Sequence, residues 1–206
     1  MIRLYPTYFP TVASYMLMTQ AESVLFEVQD SYQKQSYRNR CYIYGANGKL
    51  GLHIPVQFSQ KNRQNTSEVR IDNSSNWQST HWKSIESAYK TSPFFEYYED
   101  DLHSLFDTKK EHLSAFNFEC MEAINSCLNL ELEFSKSKIF TKQTLEKDYR
   151  LLVNARKEIQ ISIPPYIQVF QNKHGFINNL SILDLLFNEG PNAKTYLKTQ
   201  ELSFKY

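Results

Sequence analysis

The run Gly45-Ala46-Asn47-Gly48 constrains the fold more than any other feature of the chain. Asn-Gly supplies the positive φ angles of a tight hairpin turn. Cys41–Tyr44 and Lys49–Val56 are therefore expected to pair as an antiparallel hairpin turning at Asn47-Gly48. The hairpin follows a polar, basic and aromatic stretch: Gln33, Lys34, Gln35, Tyr37, Arg38, Asn39 and Arg40. A rigid hairpin with such a cluster at one end suits a polar ligand.

The N-terminal segment supplies a second unit. Ile2–Tyr5 reads as a short strand, and Pro6 and Pro10 bracket Thr7-Tyr8-Phe9 as a rigid loop. Thr11 caps a helix with Val12, Tyr15, Met16 and Thr19 on one face, and Val24–Val28 is a second, buried strand. This is a βαβ-like unit, whose two strands run parallel. Ligands bind open α/β sheets at the carboxyl edge. The loop carrying Tyr8 and the stretch Gln33–Arg40 should meet there.

Further along, Gln57–Ser67 reads as a surface loop or a ligand lid, and Glu68–Asp72 as a short strand. Asn76 opens a helix, and Ser92-Pro93 reads as cap and first turn of the next. Leu113, Phe116, Cys120, Ile124 and Leu128 mark a third. Leu130–Phe134 alternates as a half-buried strand. Ser135–Glu158 is helical from Lys142 or a solvated connection. Ile159–Ile163 and Tyr166–Phe170 read as extended. Ser181-Ile182-Leu183-Asp184 matches a capping box, and Gly190-Pro191 closes that helix. The expected fold is α/β: a single domain over residues 1–206, with a small mixed sheet covered by helices and a β-hairpin arm.

Composition removes several function classes. Five glycines, at 45, 48, 51, 175 and 190, cannot write a phosphate-binding Gly-rich loop. The net charge of +1 argues against a general nucleic-acid partner. Three cysteines without a CxxC suggest neither a disulfide framework nor a zinc site, and the five histidines show no metal-ligand spacing. The expectation is no metal and no cofactor. No apolar run reaches the ~20 residues of a bilayer span, and the first residues lack a signal-peptide layout. The expected setting is cytoplasmic, with no membrane partner.

Tyr8, Gln33, Lys34, Arg38, Asn39 and Arg40 are the candidate ligand-binding residues. If extended, Arg38 and Arg40 share a face and can grip a phosphate or carboxylate; the alternative is an internal ion pair. Lys34 can hold a phosphate, act as a base, or simply be solvated. Tyr8 can stack on a base or sugar, or pack in the core. Asn39 and Gln33 would read polar substituents. His174 is the best-placed histidine for proton transfer, and Asp184 reads as a helix cap. Asn179 and Asn188 could reach a site or close turns.

Three segments carry a family resemblance: Pro6-Thr7-Tyr8-Phe9-Pro10, then Gln33-Lys34 with Tyr37–Arg40 and Leu52–Val56, and finally Asn179–Pro191 (NLSILDLLFNEGP). Together they resemble the WbqC-like proteins over most of the chain. Leu4-Tyr5-Pro6 stands where that family often has His-Gln-Pro. Glu27 and Asp30 stand near its paired acids, in a different register. The resemblance implies a bacterial protein of polysaccharide (O-antigen) biosynthesis. It also implies a transferase placing an acyl or aminoacyl group on an amino sugar or sugar nucleotide. The ligand would be a small anion such as a nucleotide sugar. The rival is a non-catalytic metabolite-binding or assembly protein.

Overall fold

The computed structural model describes residues 1–57, 64–143, 145–156 and 159–204. Strand β1 (Ile2–Leu4), helix α1 (Val12–Gln20) and strand β2 (Val24–Phe26) form the expected βαβ unit, with Ile2 opposite Val24 in parallel register. Thr11 caps α1 by accepting from the Ser14 amide. The hairpin is β3 (Arg40–Gly45) with β4 (Gly48–His53). Its loop is Ala46-Asn47, one residue earlier than expected: Gly45 pairs with Gly48, and of the Asn-Gly pair only Gly48 has a positive φ, 100°. The second arm also ends sooner. Val56 leaves it to form β5 (Val56–Gln57), which pairs with β6 (Arg70–Ile71). The expected loop 57–67 falls mostly outside the described residues.

Helices α2 (Trp77–Tyr89), α3 (Phe95–His103) and α4 (Leu113–Cys127) form the helical middle. Ser92 does not cap α3: its hydroxyl donates to the Tyr89 carbonyl, finishing α2 instead. Strand β7 (Phe134–Lys136) lies four residues beyond the start of the alternating run, because Val24 takes its amide partner at Glu133 and β2 pairs only from Phe134 onward. The stretch after it is neither a helix nor a plain connection. It returns as β8 (Lys147–Asp148), parallel to β1, and a 3-10 turn over Arg150–Val153. Strand β9 (Ile161–Ser162) pairs with β10 (Ser203–Phe204). Tyr166–Phe170 is irregular and leads into the short α5 (Gln171–His174). Helices α6 (Ile182–Glu189) and α7 (Asn192–Thr199) follow.

The main sheet is parallel throughout, in the order β7-β2-β1-β8, while the antiparallel pairs form separate two-stranded sheets. The fold is thus mixed α/β. Alternation splits the parallel sheet into two faces. Ile2, Leu4, Val24 and Phe26 are buried on one face, where Phe26 meets Phe118 of α4 edge-on. Arg3, Leu25, Ser135 and Asp148 share the other. The hairpin arm lies against the body. Ile43 and Tyr44 are buried, and Tyr44 donates its hydroxyl proton to the Phe170 and Gly175 carbonyls. Lys173 and His174 reach the Ala46 carbonyl at the hairpin tip, so His174 is a clasp for the loop.

Helix α6 is buried on nearly every side, as a helix apolar all round must be. Ser181 caps it by accepting from the Leu183 amide. Asp184 does not complete a capping box. Its carboxylate turns into the core, where it accepts from the hydroxyls of Tyr89 (2.9 Å) and Tyr166 (2.6 Å) and from Gln168 Nε2 (2.7 Å). Burial lifts its pKa to about 6, against the three donors that hold it down. At the other end of α6, Gly190 has φ 52°, and a Cβ there would meet the Phe94 ring at 2.5 Å.

Asp184 and His81 oppose each other in pH dependence. Between about 4 and about 6 the folded state holds the Asp184 proton more tightly than the unfolded chain, so this term loses stability as pH rises. Burial lowers His81 to about 4, so over nearly the same window its term gains stability as pH rises. Asp184→Asn removes the falling term alone. Urea unfolding at intervals from pH 4 to 7 should show the variant gaining on the parent as pH rises, by on the order of 3 kcal/mol. Parallel profiles would mean that Asp184 does not titrate there.

Candidate functional site

The strand order places the reversal of winding between β1 and β8, and in parallel sheets the ligand crevice opens outside the carboxyl ends at that point. Here a void of about 10 Å³ is lined by Tyr5, Thr7, Thr11, Ser14, Tyr37 and Tyr149. It shares Thr11, Tyr37 and Leu152 with a cleft of about 380 Å³. Asn154, Gln160, Ser162, Asn178 and Asn179 complete the cleft's polar lining, with Ile159 and Ile161 beside them. No His, Asp, Glu, Lys or Arg is among the described residues lining it. The cleft offers hydroxyls and amides.

Behind it, the carboxyl edge carries buried charge. The Arg38 guanidinium donates to Asp30 Oδ2 at 2.5 Å, and Thr66 donates to Oδ1 at 2.6 Å. The Tyr5 ring lies 3.9 Å from the Arg38 guanidinium carbon. Burial, with the Asp30 charge beside it, pushes the Tyr5 pKa up to about 12, so Tyr5 stays a neutral phenol. On the sheet's polar face, Glu27 accepts from Ser137 at 2.6 Å, and its other oxygen lies 3.7 Å from Arg3 and 3.8 Å from Arg150. Arg3 Nε, Arg38 Nε and Nη1, and Glu27 Oε2 find no hydrogen-bond partner among the described residues.

The helix amino terminus nearest the cleft is already satisfied. The Val12 amide donates to the Leu180 carbonyl, that of Ala13 to Asn179 Oδ1, that of Ser14 to Thr11 Oγ1, and that of Tyr15 to the Thr11 carbonyl. A phosphate has no vacant amide there.

The Tyr8 loop and the Gln33–Arg40 stretch do meet: the Tyr8 amide donates to the Tyr37 carbonyl at 3.0 Å. Asn117 of α4 bridges the Pro6 and Arg38 carbonyls from beneath. The side chains divide differently. Tyr8 is fully buried, its hydroxyl hydrogen-bonded with His81 Nδ1 at 3.0 Å. Arg38 is only 1% exposed and turned to Asp30, the internal ion pair of the two alternatives. The 3-10 turn at Tyr37–Asn39 breaks the extended geometry that would have set Arg38 and Arg40 on one face. Asn39 ties the hairpin to its exit through the Ile54 carbonyl. Arg40 is half-buried, opposite His53. Gln33 and Lys34 are exposed, and Ser36 bridges to Asn154 at the cleft wall. Of the basic stretch, Tyr37 enters the cleft lining. The cleft residues from 152–162 and Asn178 carry no motif; Asn179 alone lies within a recognisable run. Among the described residues no three His, Cys, Asp or Glu side chains converge on a metal-sized site.

Comparison with known proteins fixes the kinship. The family model described as WbqC-like protein family matches residues 5–162 and 155–196. The chain belongs to the WbqC-like family. Rv1507c of Mycobacterium tuberculosis (strain ATCC 25618 / H37Rv), an uncharacterised protein, is similar at 26% identity over 218 residues, 93% of this chain and 94% of its own. No solved structure matches. In this WbqC-like chain the Asn179–Pro191 run is structural in each polar contact described: Asn179 caps α1, Ser181 caps α6, and Asp184 anchors the core. No described helix is long and apolar enough to cross a membrane.

Removing one partner of a buried ion pair leaves an uncompensated charge, at about 3–5 kcal/mol. Asp30→Asn and Arg38→Met should each destabilise by that order in urea unfolding. The double variant should recover much of the loss. Additive losses would show that the two residues act separately.

Proposed function

We propose that this WbqC-like protein is a transferase that moves an acyl or aminoacyl group onto the amine of an amino sugar or sugar nucleotide, in bacterial polysaccharide biosynthesis. The observation that carries the reading is the neutral cleft of hydroxyls and amides at the switch point of a parallel sheet. Gln160, Ser162 and the Thr11 hydroxyl offer the donors and acceptors that sugar hydroxyls need, beside Asn154 and Asn178, whose amides also bond within the fold. The exposed Gln33 and Lys34, on the chain just before the cleft wall at Ser36, meet the anionic part of the ligand, together with the outer edge of Arg40.

The chemistry in such a cleft is positioning. The substrate amine attacks the carbonyl carbon of an activated acyl donor, a C–N bond forms, and the bond to the leaving group breaks. With no titratable carboxylate, imidazole or ammonium among the described lining residues, the amine proton departs with solvent or the leaving group. Orienting two reactants removes up to ~7–11 kcal/mol of barrier, so such a site suffices. The rate should then rise with pH until the substrate amine is fully deprotonated.

A lining whose described residues include no base favours a second reading, a metabolite-binding protein without turnover. Thermal shift and titration calorimetry with a nucleotide-linked amino sugar, the nucleotide alone and an acyl donor separate the two. Transfer requires stabilisation by both donor and acceptor; stabilisation by one class alone supports sensing. Ser162→Ala and Gln160→Leu should each weaken sugar-nucleotide binding by roughly tenfold, about one hydrogen bond's worth, with the melting temperature unchanged. Parent-like affinity in both variants would remove the cleft as the site.

A further inference from the structure

Helix α4 begins unlike α1. Its first amide, of Leu113, donates to the Val69 carbonyl, and its fourth, of Phe116, to the His112 carbonyl. The two between them, of Ser114 and Ala115, meet no acceptor among the described residues, and His112 in front of the helix supplies no side-chain cap. Unpaired amides at a helix start carry the positive end of the helix dipole. Ser114 and Ala115 both line a pocket of about 320 Å³. Val28, two residues past β2, and Lys136, the last residue of β7, line it too, so it opens at the carboxyl ends of those strands. Side chains on this lining point to a ligand independently of the helix. Ser114 is only 7% exposed, yet its hydroxyl finds no hydrogen-bond partner among the described residues, where a buried hydroxyl is ordinarily satisfied. His112 Nδ1, on the same lining, is buried and likewise has no partner among them. The Lys136 ammonium is held 4.0 Å from the centre of the Phe118 ring, which also lines the pocket. No Asp or Glu is among the described residues lining it. Glu111, 3.9 Å from His112 Nε2, is paired with Arg70 at 3.1 Å.

We propose that this pocket is a second ligand site and binds a small phosphate monoester. The Ser114 and Ala115 amides and the Ser114 hydroxyl hold the phosphate oxygens, as helix amino termini hold anions elsewhere. Lys136 supplies the opposing charge, and His112 Nδ1 and the Ser67 hydroxyl, from the 3-10 turn Thr66–Glu68, offer further donors. Val28 and Phe118 pack against the organic part of the ester. The donors choose phosphate over carboxylate. They come from a helix, a turn and a strand end, and a tetrahedral anion presents oxygens on several sides, whereas a carboxylate presents two in one plane. The proposal is independent of the transferase reading, since pocket and cleft share no lining residue.

The test is titration calorimetry of the full chain with phenyl phosphate, inorganic phosphate and benzoate at constant ionic strength. Phenyl phosphate should bind most tightly, inorganic phosphate next and benzoate least. Lys136→Met keeps an apolar stem over Phe118 and removes the charge. It should weaken phenyl phosphate binding by about tenfold or more while melting as the parent does. Ser114→Asp sets a carboxylate of the protein's own at the two amides. It should abolish phosphate binding and raise the melting temperature of the ligand-free protein. Absence of phenyl phosphate binding by the parent overturns the proposal. Parent-like binding by Lys136→Met also overturns it, whether or not the Ser114 variant folds. Benzoate binding as tightly as phenyl phosphate overturns the choice of phosphate in favour of a carboxylate. Loss of phenyl phosphate binding in Gln160→Leu, with Lys136→Met unaffected, would move the anion to the cleft.

Discussion

The fold depends on one junction, where the loop after β1 meets the entry to α6. Ser181 donates its amide to the Tyr42 carbonyl of the hairpin and its hydroxyl to the Phe9 carbonyl, while Ile182 donates to Pro10. Two residues earlier, Asn179, in the left-handed region at φ 52°, turns its side-chain oxygen onto the Ala13 amide of α1. Four elements remote in sequence thus satisfy one another's backbone groups in a dry interior, where an unpaired amide is costly. The junction also decides where a ligand goes. In dinucleotide-binding folds the helix after the first strand offers its amides to phosphate. Here the protein uses those amides itself, and the open volume lies beside them.

Much of this was legible in the chain. The βαβ unit, the Thr11 cap, the hairpin, the Ser181 cap and the glycine stop at Gly190 each rest on local rules that tertiary contacts did not override. Elements built from pairing alone were not legible. Strand β8 is Lys147-Asp148, two charged residues with no apolar pattern, and it exists because the β1 edge is free to accept it. The shift of β7 has the same origin. The local signal also misassigns buried polar groups. Asp184 three residues after Ser181 looks like a capping acid, yet two tyrosines and a glutamine from elsewhere draw it inward. Arg38 reads from its spacing either as a ligand arginine or as an internal ion-pair partner; the Asp30 it meets sits across a turn that spacing does not reveal. The cleft lining came least of all, because amides and hydroxyls scattered over residues 152–179 carry no periodicity.

Two buried polar systems divide the interior. One, around Asp184, is closed: each carboxylate oxygen is matched, and its role is to hold α6, α2 and the Tyr166 segment in one arrangement. The other, at the carboxyl edge, is open-ended. Glu27 Oε2 lies 3.7 Å from Arg3 and 3.8 Å from Arg150, longer than hydrogen bonds, and Arg3 Nε and Arg38 Nε and Nη1 find no hydrogen-bond partner among the described residues. A network of this kind costs more than an apolar core of equal volume, but it fixes which strand ends lie together. The described cleft lining of amides and hydroxyls therefore stands on a rigid charged base.

The position of β8 has a consequence for how the molecule is made. Strand β1 finds β2 as soon as the first helix has emerged, but its other neighbour and the Arg150 that faces Glu27 come roughly 120 residues later, on the order of 6–25 s at ordinary synthesis rates. The α6 entry that closes the first loop arrives later still. Until then the nascent chain carries an open strand edge and an acid whose counter-charge on that side has not yet been synthesised. Arrival of β8 and the α6 entry, rather than early collapse, is thus the moment at which the N-terminal unit becomes secure, and damage to these late segments threatens the first residues as much as their own neighbours.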